Sequence, residues 1–271
     1  MFSNRVFNFA IAAAGLGLVS AQLSGLSDQC KATLTSVVIT PSSSCLNAQA
    51  LVALVTASSD ASLVGPIDNW LTGLCAKPAC SNDTLTSIVN TVLKGCNSDL
   101  QSFGASFDPT VAVKYVLEVY PTARKVVCLT DSNANNELCV TETLTNVQNS
   151  TGTTLSANGV ESLFGQIMAG QLPNVPASVI CTDCTKAAFN IIETDFPSIA
   201  TSSLNVNGHV SDVCGADFID GANPTGVSQS ATNSSQSVTA TGDASLAVPA
   251  GIFGGLLSSL VALGSGMAML V

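Results

Sequence analysis

Two cysteines, two residues apart at the start of an apolar stretch, offer the most chemistry in this chain: Cys181-Thr182-Asp183-Cys184. A helix N-terminus lowers a thiol pKa, so a Cys-x-x-Cys pair placed there could exchange electrons with another disulfide. Taken with Cys75 and Cys80, the same pair has spacings compatible with a four-thiolate zinc site. Both readings need free thiols, and both compete with a plainer one, in which all four are halves of structural disulfides. His209, in Asn207-Gly208-His209-Val210, is the only histidine. As a general base it would need a nucleophile, and no Gly-x-Ser-x-Gly elbow supplies one. The acid pairs Glu193/Asp195 and Asp217/Asp220 are of the type that glycoside hydrolysis uses. Sugar clefts usually present aromatic faces, and this chain has one Trp and two Tyr. Asp217 and Asp220 lack the ligand ladder of a calcium loop, and no phosphate-binding or dinucleotide fingerprint occurs. We therefore assign no catalytic residue, no metal ligand and no cofactor.

The cysteines are better read as a framework. There are ten, in two sets of five in the same order: Cys30, Cys45, Cys75, Cys80 and Cys96, then Cys128, Cys139, Cys181, Cys184 and Cys214. The gaps are 14, 29, 4 and 15 residues in the first set and 10, 41, 2 and 29 in the second. Equal order with unequal gaps suggests two diverged copies, halves of about 27–107 and 108–220. Five per half cannot pair internally, so full oxidation requires at least one bond between the halves. About 945 pairings are open to ten cysteines, and sequence does not choose among them.

The elements that would position these groups read as helices. Ser27 can cap a helix carrying Cys30, Leu34 and Val37, broken at Pro41; Ser44 can cap another through Leu46, Ala50 and Leu54. A short helix runs from Pro66 into Cys75. Leu85, Ile88, Val89, Val92 and Cys96 follow helical spacing after Ser81 or Asn82. Asp108-Pro109 is a cap with proline at the first helical position, and Pro121 should end that helix. Helices are also expected from Asn136 to Val147 around Cys139, from Ser156 through Met168, and from Cys184 to a stop at Pro197. Only Lys125-Val126-Val127-Cys128-Leu129 has strand character. The expected fold is all-α, disulfide-stapled, in two pseudo-repeated halves.

Both ends read as processing signals. Residues 1–21, with Arg5, an apolar run and Val19-Ser20-Ala21, predict a secretory signal peptide. That route favours disulfides and makes the sequons at Asn82, Asn149 and Asn233 candidate glycan acceptors. The head would span 22–220. Residues 221–245, Ser/Thr-rich and nearly uncharged, predict a stalk. Residues 246–271 are an apolar run with no basic residue after Lys186, which predicts a GPI-attachment signal over a retained spanning helix. Gly242, in Gly242-Asp243-Ala244, is the preferred attachment site. A net charge of −10, from 8 basic and 18 acidic residues, argues against nucleic acid and against adsorption to anionic lipid. The membrane partner would then be reached through the anchor alone.

Three stretches, Pro66-Ile67-Asp68-Asn69-Trp70-Leu71, Cys128-Leu129 with Leu138-Cys139-Val140-Thr141, and Cys181-Thr182-Asp183-Cys184-Thr185-Lys186-Ala187-Ala188-Phe189, carry a resemblance. With them the chain resembles a family of fungal secreted cysteine-rich proteins with C-terminal GPI signals, a domain of unknown function. The resemblance covers about residues 30–220 and brings no catalytic residue. It implies a fungal cell-wall or plasma-membrane setting. The expectation is a non-catalytic surface or wall protein, whose partner beyond the membrane would be cell-wall polysaccharide. The alternatives are a carrier of an apolar ligand such as a lipid, and an enzyme built around His209.

Overall fold

The computed structural model describes residues 26–102, 108–159, 175–198 and 206–232. Several of its helices begin where short polar side chains can accept hydrogen bonds from backbone N–H groups left over at a helix start. Ser27 Oγ accepts from the Cys30 N–H and opens α1 (Asp28–Ile39). Ser81 does the same for Thr84 at the start of α4 (Asn82–Gly95). Asp108, followed by Pro109, opens α6 (Pro109–Val127). Between these lie α2 (Leu51–Thr56), α3 (Val64–Cys75) and α5 (Asn97–Ser102). Beyond α6 come α7 (Cys139–Thr151), α8 (Ala177–Ile180), α9 (Asp183–Asp195) and α10 (Val206–Cys214). The described residues are mostly helical, as expected.

Three departures follow from contacts distant in the sequence. The helix expected to follow Ser44 is two 3-10 turns, Pro41–Leu46 and Ala48–Ala50, before α2. Asn47 stands between them in the left-handed region (φ 50°). Its Nδ2 donates to the Trp70 carbonyl at 2.9 Å, and its Oδ1 accepts from Lys77 Nζ at 3.2 Å. Gly73 permits this approach, because a Cβ there would lie 2.2 Å from Asn47 Nδ2. Secondly, α6 does not end at Pro121 but continues to Val127. Pro121 is exposed, so water can reach the carbonyl it leaves unpaired. Burial of Thr122, Arg124 and Val126 just beyond it offsets a helix-breaking cost of about 3 kcal/mol. Thirdly, the fold is not purely α. The strand expected at Lys125 to Leu129 is shifted: β1 (Leu129–Asp131) is flanked by β2 (Glu137–Leu138) and β3 (Val227–Gln229), both antiparallel, in the order β2-β1-β3.

β3 also moves the end of the head. Residues 221–232 fall in the segment read as the start of a stalk, yet they are packed. Ser230 N–H donates to the Cys128 carbonyl and Thr232 N–H to the Cys75 carbonyl, both at 2.9 Å, and Ala231 packs against the core. A strand needs a partner rather than charge, and β1 offers an open edge.

All ten cysteines are paired: Cys30–Cys96, Cys45–Cys80, Cys75–Cys128, Cys139–Cys184 and Cys181–Cys214. One bond, Cys75–Cys128, crosses between the halves. Numbering each set one to five, second pairs with fourth in both halves. First pairs with fifth in the first half, but third with fifth in the second, so the bonding does not repeat. The main core also ignores the division. It joins Leu54, Leu63, Ile67, Leu71, Leu74 and Cys75 to Cys128, Leu138, Leu144 and Leu155. Smaller clusters lie around Leu129, Cys139, Cys184 and Ala187, and around Phe189, Val206, Val210 and Phe218. By contrast α1 and α4, packed on each other, fully bury only Cys30 and Leu85 within their spans. There the disulfides Cys30–Cys96 and Cys45–Cys80 hold what little apolar burial cannot.

Candidate functional site

The residues singled out from the sequence meet around α9. Its first turn is a capping box: the Thr185 N–H donates to Thr182 Oγ1 at 3.3 Å, and the Thr182 N–H donates to Thr185 Oγ1 at 3.0 Å. Cys181, just before the helix, bonds to Cys214 on α10, whereas Cys184, inside it, bonds to Cys139 on α7. The Cys-x-x-Cys pair is therefore not a disulfide in its own right, and the spacing of two residues sends its sulfurs to two different elements. The same observation removes the zinc reading, because Cys75, Cys80, Cys181 and Cys184 each have a different cysteine partner. Among the described residues, Cys139, Glu142 and Cys184 bring ligand-type atoms within 4.8 Å of one another. Two of those atoms are sulfurs bonded to each other, so in the oxidised head they are not thiolate ligands.

The rest of α9 clasps the chain that follows it. Lys186 Nζ donates to the Asp217 carbonyl and pairs with Asp220 Oδ1 at 2.8 Å. Phe189 packs against Phe218 with ring centroids 6.5 Å apart. Asn190 Nδ2 donates to the Ala222 carbonyl at 3.0 Å, and Glu193 Oε1 accepts from Asn207 Nδ2 at 2.7 Å. At the far end Asp195 accepts from Thr122 Oγ1 at 2.6 Å and from Lys125 Nζ at 2.7 Å, tying α9 to α6. Glu193 and Asp195 brace two different helices, while Asp220 holds Lys186 and the Ala222 N–H.

The other motif stretches are used in the same way. Asp68 Oδ1, from the first, accepts from Thr141 Oγ1, from the second, at 2.7 Å. Trp70 Nε1 donates to the Leu46 carbonyl at 2.9 Å. Beside the crossing disulfide lies a residue that the sequence reading missed. Arg124, only 6% exposed, donates to the carbonyls of Leu74, Cys75 and Lys77, closing the C-terminus of α3. A guanidinium suits this task because it presents several donors in one plane and complements the negative helix end. The available signal was compositional: of eight basic residues only Arg5 and Arg124 are arginine.

Carboxylates around the head are tuned in opposite directions. Glu142 Oε2 lies 3.2 Å from Cys184 Sγ, a sulfur with no hydrogen to donate. Burial, then the charges of Asp131, Glu137 and Asp183, push its carboxyl pKa up. The Lys186 side chain first, then the Ala222 N–H, hold Asp220 below the ordinary range. Asp99 is lowered by hydrogen bonds from the Ser27 N–H and then the Ser27 hydroxyl, both at 2.7 Å.

His209 lies half-buried on α10. No hydrogen bond or ion pair joins it to a carboxylate or hydroxyl among the described residues. Asn82 and Asn149 are exposed, at the start of α4 and near the end of α7. The third sequon Asn233, the attachment residue Gly242, residues 1–21 and 246–271, and most of the helix expected after Ser156 lie outside the described residues. No helix among the described residues is long and apolar enough to cross a membrane. A pocket of about 160 Å³ sits where α1 meets the 3-10 turns, lined by Val38, Ile39 and Pro41 but also by Ser43, Gln49 and Lys77. No protein-family model matches the chain, and no curated protein and no solved structure matches it either.

Proposed function

We propose that this chain is an exported, non-catalytic surface protein of a fungal cell: a disulfide-stapled helical head on a short Ser/Thr-rich tether, GPI-anchored to the plasma membrane or passed on to the cell wall. Support comes first from the complete pairing of ten cysteines, a state that oxidising compartments favour and reducing ones oppose. The composition of residues 1–21 and 246–271 supplies the rest of the reading. The ten cysteines and the carboxylates of Glu193, Asp195 and Asp220 are engaged as braces between elements, which favours a structural over a catalytic role. In this reading, with residues 227–232 packed on the head, the tether would be residues 233–242. A head so close to its anchor would sit near the membrane or wall polymer.

The carrier alternative gains nothing from the pocket at α1. Its volume is below the roughly 300 Å³ at which small-molecule sites begin, and its lining is mixed. The anchor reading is tested by expressing the full chain in a yeast and treating intact cells with phosphatidylinositol-specific phospholipase C. Release of the head, with a C-terminal peptide ending at Gly242 and bearing ethanolamine phosphate, is the expected outcome. A mature chain that still carries residues 246–271 would contradict it.

A further inference from the structure

We infer that glycan transfer to Asn82 and Asn149 has to precede folding of the head, and that closure of Cys45–Cys80 ends the period in which Asn82 can accept. This rests on the export reading above for its setting, but its geometry stands on the head alone. Transfer joins asparagine Nδ2 to the anomeric carbon of a lipid-linked oligosaccharide. The bond from that carbon to the pyrophosphate oxygen breaks, the lipid pyrophosphate leaves with the electron pair, and the amide loses one proton to a base of the transferase. The enzyme reads the asparagine and the hydroxyl two residues on as one unit. On a helix those two positions are about 200° apart around the axis, so they cannot enter one site together.

Both sequons lie on helices. Asn82 is the first residue of α4. The Thr84 hydroxyl accepts from Ser81 Oγ at 3.0 Å, and the Thr84 N–H donates to the same oxygen at 3.2 Å. Unwinding that turn would pull on Leu85, which is 4% exposed. On the other side Cys80 is bonded to Cys45, and its N–H donates to Tyr120 Oη at 2.9 Å. The acceptor is thus held from both directions, two residues from a disulfide. Asn149-Ser150-Thr151 forms the last turn of α7, with both hydroxyls donating to the Val147 carbonyl at 3.0 and 2.8 Å. The preceding Gln148 is pinned by the Ser62 hydroxyl and the Leu155 N–H. Exposure of Asn82 and Asn149 lets a sugar attached earlier project into solvent once the helices form. The modified chain can therefore fold, whereas the folded chain cannot be modified.

The test offers two forms of the full chain, made without glycans, to a purified oligosaccharyltransferase with a lipid-linked oligosaccharide donor. One form is oxidised with all five disulfides, and the other is reduced and carbamidomethylated; a peptide spanning Asn82 serves as a control acceptor. Occupancy at each asparagine is read by mass spectrometry. The inference expects both sites to be at least tenfold more occupied in the reduced chain. Comparable occupancy in the oxidised chain would overturn it, as would transfer to the peptide but to neither form of the chain. Because this assay needs neither export nor an anchor, its failure is distinct from a failure of the phospholipase experiment.

Discussion

At the scale of single residues, the head is braced by polar groups whose partners are far away in sequence. Arg124 adds charged donors to the Leu74 and Cys75 carbonyls at the end of α3, which also accept from the Lys77 and Thr232 N–H groups, and it reaches the Lys77 carbonyl just beyond. Replacing it with methionine keeps the buried volume but removes three hydrogen bonds from a charged donor, each worth about 1–3 kcal/mol. We expect Arg124→Met to lower unfolding free energy by about 2–4 kcal/mol, measured by urea denaturation. Lysine should not restore it, since a single ammonium cannot span the same fork. Two carboxylates give opposite pH signatures. Glu142 has its pKa raised in the folded state, so its protonated form fits the fold better. That advantage is full below the ordinary carboxylate pKa and is lost as pH rises through the folded value. Glu142→Gln should therefore melt above the wild type at pH 7, with the gap closing towards pH 3. Asp99 has its pKa lowered, so its contribution is present above the ordinary value and disappears as pH falls. Asp99→Asn should melt below the wild type at pH 7 and approach it in acid.

At the scale of elements, what was legible in the sequence was what is decided locally. Ser27, Ser81 and Asp108 cap helices where they were expected to, because a cap needs only a side chain and the N–H two or three residues on. Cys96 follows the α4 stripe for the same reason, and Pro197 falls just beyond the end of α9. The misreadings all turn on distant partners. Pro121 signals a stop, but Thr122, Arg124 and Val126 are buried by packing that the local sequence does not show. Asn47 breaks a helical pattern because Trp70 and Lys77 hold it in the left-handed region. Val227-Ser228-Gln229 carries too weak an alternation to be called a strand until β1 lies beside it. The prediction that belongs here concerns that last element. A chain ending at Gly226 should lose about 2 kcal/mol or more, since β1 regains an open edge and the Cys75 and Cys128 carbonyls lose the backbone donors Thr232 and Ser230. A chain ending at Thr232 should match the full head in denaturant midpoint. If the two truncations behave alike, residues 227–232 belong to the tether after all.

At the scale of the whole molecule, modest apolar burial around α1 and α4 and a core shared between the halves leave covalent bonds to set the architecture. The sequence required at least one bond between the halves, and Cys75–Cys128 is that bond. It lies inside the shared core, with Cys128 0% and Cys75 3% exposed, and the last described residues hydrogen-bond to both of its carbonyls. Pairing itself was not legible, because it depends on which cysteines the helices bring together rather than on their order. With its ends 53 positions apart in the sequence, the bond restricts the unfolded chain by about 4 kcal/mol in the loop-entropy treatment. Cys75→Ser/Cys128→Ser should lose that much or more, since two hydroxyls would then be buried in an apolar core. The account as a whole rests on the pairing, and non-reducing peptide mapping of the native protein tests it most directly. The expected result is five linked peptides, Cys30–Cys96, Cys45–Cys80, Cys75–Cys128, Cys139–Cys184 and Cys181–Cys214, with no free thiol. A Cys181–Cys184 linkage, or free thiols at Cys75 and Cys128, would contradict it.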